Sequence, residues 1–128
     1  MPGEPILIVD DNPTNLKLLM YLLTAKGYEA RTANDAEEAL VMLQSFRPRL
    51  VLLDLQLPGM DGLTLARTLR ADPTTRNLVI VAVTAHAMKG DEEAAIEAGC
   101  DGFVTKPIDT RDLPRRIAEY MARSPENS

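Results

Sequence analysis

Along this chain, short apolar runs alternate with segments of helical periodicity. Residues 6–9, 50–53 and 78–83 are apolar at every position, 102–105 form a fourth run, and 28–32 a weaker fifth. A strand that is apolar on both faces must be covered on both faces, so these uninterrupted runs predict strands of a parallel sheet between two helical layers.

The segments between the runs carry helix punctuation. Asn12 can cap a first helix with Pro13 at its opening position. Leu16, Leu19, Met20 and Leu23 then share a face, and Gly27 stands where a C-terminal glycine belongs. Asn34 and Glu37 have the spacing of a capping box for a second helix holding Leu40, Leu43 and Phe46. A third begins near Asp61, turns Leu65, Ala66 and Leu69 inward, and ends at Asp72-Pro73. A fourth, rich in Ala and Glu with Ile96 its single large aliphatic residue, runs from about Gly90 to Ala98 and stops at Gly99. The fifth places Leu113, Ile117, Tyr120 and Met121 at helical spacing. Pro114 would remove a hydrogen bond from a helix begun at Asp109 or Thr110, so either the first turn is distorted or the helix starts at Asp112. The pattern is (βα)5, and short right-handed crossovers make it a three-layer α/β sandwich.

Composition narrows the class. The chain has 128 residues, 45% hydrophobic and 26% charged, which is the make-up of one globular domain. The expectation is a single domain over 1–128, with a core at about 5–122 and nothing appended, so that any output passes through a protein contact. A single cysteine, Cys100, excludes an internal disulfide and reads as a buried structural thiol. A net charge of −5 disfavours direct binding of nucleic acid. No apolar stretch approaches the roughly 18 residues of a membrane span, and the N-terminus lacks the basic start of a signal peptide, so a cytoplasmic location is expected.

Ligands of open parallel sheets bind beyond the carboxyl ends of the strands. Here those ends are Asp10-Asp11 after the first strand, Asp54 at the third, Thr84 at the fourth and Lys106-Pro107 after the fifth. Three carboxylates in one place repel, so either one takes a proton or a cation sits among them. An all-oxygen donor set favours a hard cation, and Mg²⁺ suits a site that keeps positions for water and phosphate. A lysine and a hydroxyl opposite can receive an anion. Together these are the parts of phosphoryl transfer, in which a carboxylate can itself be the nucleophile.

The segments ILIVDDNPTN, LVLLDLQLPGMDG, VAVTAHAM and DGFVTKPI, in this order and spacing, resemble the CheY-like receiver domain of two-component response regulators over roughly residues 5–122. The look is closest to DivK-type single-domain regulators and to the receivers of hybrid sensor kinases. The resemblance implies a flavodoxin-like sheet of order 2-1-3-4-5. It implies Asp54 as phosphoacceptor from a histidine kinase or histidine phosphotransfer protein. It further implies Mg²⁺ (with Mn²⁺ as a substitute) on Asp11, Asp54 and the Gln56 backbone carbonyl, with Asp10 acting through water. Lys106 would contact the phosphoryl group and Thr84 would swing toward it. Phe103 would follow, and the Lys106–Pro107 peptide would be cis. The switched face of helix 4, strand 5 and helix 5 would then meet a protein effector, as a monomer or a phosphorylation-dependent dimer.

Gln56 and His86 flank the implied site, and two readings stand for His86: an exposed residue, or a partner of Gln56 in tuning dephosphorylation through the attacking water. Met88 and Ala87, with the Ala-rich fourth helix, form either a plain solvated surface or part of the partner face. Competing functions fare worse. An aspartate-dependent phosphohydrolase commonly has a second aspartate two residues after its nucleophile, and Gln56 cannot transfer that proton. A nucleotide-binding domain would need a glycine-rich loop after the first strand, and the sequence has none there. A receiver kept only as a constitutive interaction module is opposed by the complete set of site residues.

Overall fold

The computed structural model describes residues 4–57, 60–85, 90–106 and 108–122. Five strands alternate with five helices: β1 (Pro5–Val9), α1 (Pro13–Ala25), β2 (Glu29–Ala33), α2 (Ala36–Met42), β3 (Leu50–Asp54), α3 (Gly62–Ala71), β4 (Val79–Thr84), α4 (Asp91–Glu97), β5 (Gly102–Thr105) and α5 (Asp112–Ala122). The strands form one parallel sheet of order β2-β1-β3-β4-β5, the flavodoxin-like arrangement of an α/β sandwich.

The strand alternation sorts the core into two layers. Leu7, Val9, Val51, Leu53, Ile80 and Ala82 face a layer completed by Leu43 and Phe46, by Leu65 and Leu69 of α3, and by Ala95 of α4. Ile6, Ile8, Leu50, Leu52, Val81 and Val83 face the opposite layer, where α1 supplies Leu16, Leu19 and Leu23 and α5 supplies Leu113, Ile117 and Met121. Each fully buried Leu or Ile contributes roughly 1.5–3 kcal/mol of transfer free energy, and both faces of β1, β3 and β4 are filled this way. That is why these strands read as unbroken apolar runs.

The helix ends follow local chemistry. The Asn12 side chain accepts from the N–H groups of Thr14 and Asn15, with Pro13 opening α1. Asp61 accepts from Thr64 N–H at the start of α3. Gly27 and Gly99, expected to end α1 and α4, have φ of 91° and 103°. Helix α5 starts at Asp112, and Asp109 caps it by accepting from the N–H groups of Arg111 and Asp112. Leu113 N–H already donates to the Asp109 carbonyl at 2.9 Å, so Pro114, which has no N–H, interrupts the ladder one residue later and the opening of the helix is irregular.

The cap of α2 differs from expectation. It is Asp35, not Asn34: the Asp35 carboxylate accepts from Glu38 N–H, and Glu38 reaches back to Asn34 N–H. The box is displaced by one residue because Asp35 is still extended (φ −155°, ψ 178°) and the first helical residue is Ala36, so Asp35 takes the cap position. Among the described residues no helix is long and apolar enough to cross a membrane.

Candidate functional site

The three acidic positions predicted from the sequence meet at the carboxyl edge of the sheet. Asp10 follows β1 directly, and its bond to Ala33 fixes it to the end of β2. Its buried carboxylate accepts from Asn12 N–H at 2.8 Å and from the Asn15 side-chain amide at 3.4 Å. Asp11, next in the chain, is exposed. Asp54 is the last residue of β3 and is only 3% exposed. Leu55 N–H donates to Val83 carbonyl at 3.0 Å, so β3 stays registered on β4 one residue past the aspartate. Asp10, Asp11 and Asp54 each place a carboxylate oxygen within 4.8 Å of the others.

Lys106 crosses this group. Its N–H donates to the Thr84 carbonyl at 2.7 Å, continuing the β4–β5 pairing beyond Thr105. That anchor sets its Nζ 3.2 Å from Asp54 Oδ2 and 3.5 Å from Asp10 Oδ2. The other Asp54 oxygen, Oδ1, accepts from Gln56 N–H at 3.0 Å. Burial raises the Asp54 pKa above the ordinary carboxylate value, and the Asp10 charge raises it further. The Gln56 N–H and the Lys106 ammonium oppose these effects without cancelling them. Among the described residues one ammonium, paired with Asp10 and Asp54, stands against three carboxylates, a surplus of negative charge that a cation would relieve.

Gly62 lets the following helix approach. A Cβ there would lie 2.6 Å from the Asp54 carbonyl oxygen and 2.7 Å from Leu55 Cα, closer than real side chains allow. The N-terminus of α3 packs directly against the phosphoacceptor candidate's backbone for this reason, with Gly62 N–H on the Leu55 carbonyl at 3.3 Å.

Thr84 ends β4 and is buried. Its Oγ1 accepts from Gln56 Nε2 at 2.7 Å, and Ala85 N–H donates to Gln56 Oε1 at 3.4 Å. Phe103 is half-buried and packs on the core layer that holds Ala82. It pairs in register with Ala82, two residues before Thr84, so Phe103 and Thr84 share one face of the sheet. Arg116 of α5 holds the Phe103 carbonyl at 3.0 Å. Of the remaining sequence-derived positions, His86, Ala87, Met88 and Pro107, and with Pro107 the cis peptide expected after Lys106, lie outside the described residues. Cys100 is buried as expected, and burial pushes its thiol up to about 11.

Two contacts at the site go beyond what the sequence pattern predicts. Asn15 reaches Asp10, for which a signal is present: five residues past the aspartate, it lies in the first turn of a helix capped at Asn12. The Gln56–Thr84 bond has no such signal, because it joins residues 28 apart through the β3–β4 register.

An acidic triad with a lysine across it lies at the carboxyl edge of a 2-1-3-4-5 sheet, and comparison with known proteins gives the class to which this arrangement belongs. Residues 6–118 match the response regulator receiver domain. This chain belongs to that family, the CheY-like receivers of two-component systems, which work as signalling switches. It is 40% identical over 118 residues to the polar-differentiation response regulator DivK of Brucella anthropi, an alignment covering 92% of this chain and 96% of that protein. It is 47% identical over 112 residues to the response regulator PleD of Caulobacter vibrioides, covering 88% of this chain and 25% of PleD, so it spans about a quarter of that relative's length. Among solved structures, it is similar to the receiver domain of a sensor histidine kinase from Pseudomonas aeruginosa, determined with a magnesium ion coordinated in its active site cleft. The TM-score is 0.86 and the identity 32%, over 94% of this chain and 98% of that one.

Proposed function

We propose that this receiver takes a phosphoryl group from a phosphohistidine of a histidine kinase or histidine phosphotransfer protein onto Asp54, with Mg²⁺ bound beside it. The observation that carries the reading is the meeting of Asp10, Asp11 and Asp54 within 4.8 Å, with Lys106 paired to Asp10 and Asp54. The donor set fits the ion: carboxylate oxygens in excess of local positive charge, with the exposed Asp11 leaving the site open to solvent. Asp11, Asp54 and the Gln56 carbonyl would hold Mg²⁺ directly and Asp10 through water, and Mn²⁺ would substitute. When bound, the ion neutralises charge on the phosphoryl oxygens.

The chain's own residues do the rest. An Asp54 carboxylate oxygen forms the new bond to phosphorus as the phosphorus–nitrogen bond of the donor breaks, and the imidazole leaves with the electron pair. Lys106, already beside Asp54 Oδ2, meets the negative charge of the incoming group. Thr84 then gives its hydroxyl to a phosphoryl oxygen, and Phe103, on the same sheet face, moves into the space this opens. The new charge of roughly −1.5 to −2 is read by a protein effector at the face of α4, β5 and α5. Gln56 and His86 tune hydrolysis of the phosphoryl group.

The test is incubation with acetyl phosphate and Mg²⁺ followed by intact-protein mass spectrometry. One phosphoryl group is gained by the wild type and none by Asp54→Asn. No gain in the wild type, or an undiminished gain in the variant, refutes the assignment.

A further inference from the structure

The Gln56 side chain makes a contact that tuning of a water molecule does not require. Gln56 lies two residues past Asp54 and is exposed, where a flexible amide would ordinarily be solvated. Instead both halves of its amide engage the end of β4, Nε2 donating to Thr84 Oγ1 at 2.7 Å and Oε1 accepting from Ala85 N–H at 3.4 Å. Its backbone N–H is meanwhile on Asp54 Oδ1 at 3.0 Å. One residue therefore touches both the carboxylate that would be phosphorylated and the hydroxyl that would respond.

We propose that Gln56 is a positioning residue that clamps Thr84 in its resting rotamer, so that phosphorylation of Asp54 must compete with the Gln56–Thr84 hydrogen bond. The inference rests on the reading of Asp54 and Thr84 given above. A threonine has few χ1 wells, and moving between them carries Oγ1 away from a fixed partner. Thr84 Oγ1 accepts from Gln56, whereas a phosphoryl oxygen would accept the Thr84 O–H, so the two contacts compete through the rotamer each requires; the anionic acceptor forms the stronger bond and prevails when present. Until then the clamp keeps the active arrangement sparsely populated and weakens everything that depends on it. The identity of the residue at this position would thus set the resting balance of the switch as well as the lifetime of the phosphorylated state.

The test uses Gln56→Met, with Gln56→Ala in parallel. Both keep the backbone N–H on Asp54 and the carbonyl implied as a metal ligand. In unphosphorylated, metal-free protein, three-bond couplings to the Thr84 methyl carbon should report one χ1 rotamer in the wild type and averaging in both variants. Unchanged couplings overturn the clamp, and this measurement decides it even if the phosphoacceptor assignment fails. That assignment fails separately, if the wild type gains no phosphoryl mass and binds no beryllofluoride.

Beryllofluoride with Mg²⁺ then reads the consequence by NMR titration. Affinity should tighten about threefold to tenfold in Gln56→Met, the span of one neutral hydrogen bond. The gain should vanish when the same change is made in Thr84→Val. An equal gain with and without the hydroxyl, or no gain at all, overturns the proposal.

Discussion

The two ends of the sheet handle charge in opposite ways. At the amino edge, each of two arginines has a carboxylate partner, and one of them is multiply bonded. Arg70, at the end of α3, donates to the carbonyls of Gly99, Arg76 and Leu78 and to the carboxylate of Asp101 at 2.6 Å. Asp101 in turn accepts from Ile80 N–H, and Arg49 pairs with Glu4 at 2.6 Å. At the carboxyl edge, among the described residues, three carboxylates gather with one lysine that pairs with two of them, and the buried Asp54 carries a raised pKa. The amino edge uses charge to fasten α3, the α4–β5 turn and two strands together. The carboxyl edge holds charge in surplus and is stabilised only when something cationic or a proton arrives.

Four measurements sharpen or break this contrast. The largest effect is expected at the fastened edge: Arg70→Ala strands several backbone carbonyls and Asp101, and should cost about 3 kcal/mol in urea unfolding, the scale of lost bonds to a charged group. Its phosphorylation by acetyl phosphate should persist under conditions where it remains folded. Equal damage to both properties would mean the two edges are not separable.

Gly62→Ala tests the other edge. Its Cβ meets backbone at Asp54 and Leu55, so overpacking should cost roughly 1–3 kcal/mol, and the phosphorylation rate should fall with it because the displaced residue is the proposed acceptor.

Asp54→Asn should do the reverse of what a lost ion pair suggests. A carboxyl whose folded-state pKa is raised binds its proton more tightly folded than unfolded, so ionising it costs stability. That loss is complete above the raised folded pKa and is recovered as pH falls from there toward the unfolded value. At neutral pH without metal, the variant should therefore melt a few degrees higher than the wild type, with the gap closing on acidification. Mg²⁺ should also narrow it by stabilising the wild type. A variant that melts lower at neutral pH would show that the Lys106 pairing outweighs the repulsion.

The smallest effect concerns Cys100. With its thiol pushed up to about 11, alkylation of the native protein at pH 8 should run on the order of 100-fold slower than that of a free thiol, and accelerate in denaturant.

Much of the fold and of the site is legible in the amino-acid sequence. The strands and helix starts follow from apolar runs and capping residues, because both depend on neighbours within a few positions. Asp10, Asp11, Asp54, Thr84 and Lys106 are legible as a site, because a parallel sheet puts every strand's carboxyl end on one edge. The cap of α2 is ambiguous at that level, because Asn34 with Glu37 and Asp35 with Glu38 satisfy the same spacing. The backbone makes the choice: Asp35 is still extended in the folded chain, so it and not Asn34 takes the cap position. The Gln56–Thr84 hydrogen bond is invisible in the sequence, because no local rule ties a side chain on the β3–α3 loop to a hydroxyl on β4.

The sequence by itself determined the alternation of strands and helices, the two-sided burial of the central strands, and the collection of acid at one edge. These are consequences of periodicity and of the handedness of parallel crossovers. Only the tertiary structure decided how that acid is apportioned: which aspartates are buried, which oxygen faces Lys106, and that Gln56 bridges Asp54 to Thr84. Those outcomes depend on distances of a few ångström between residues far apart in the chain, set by strand register and packing, to which composition and spacing along one strand or helix are blind.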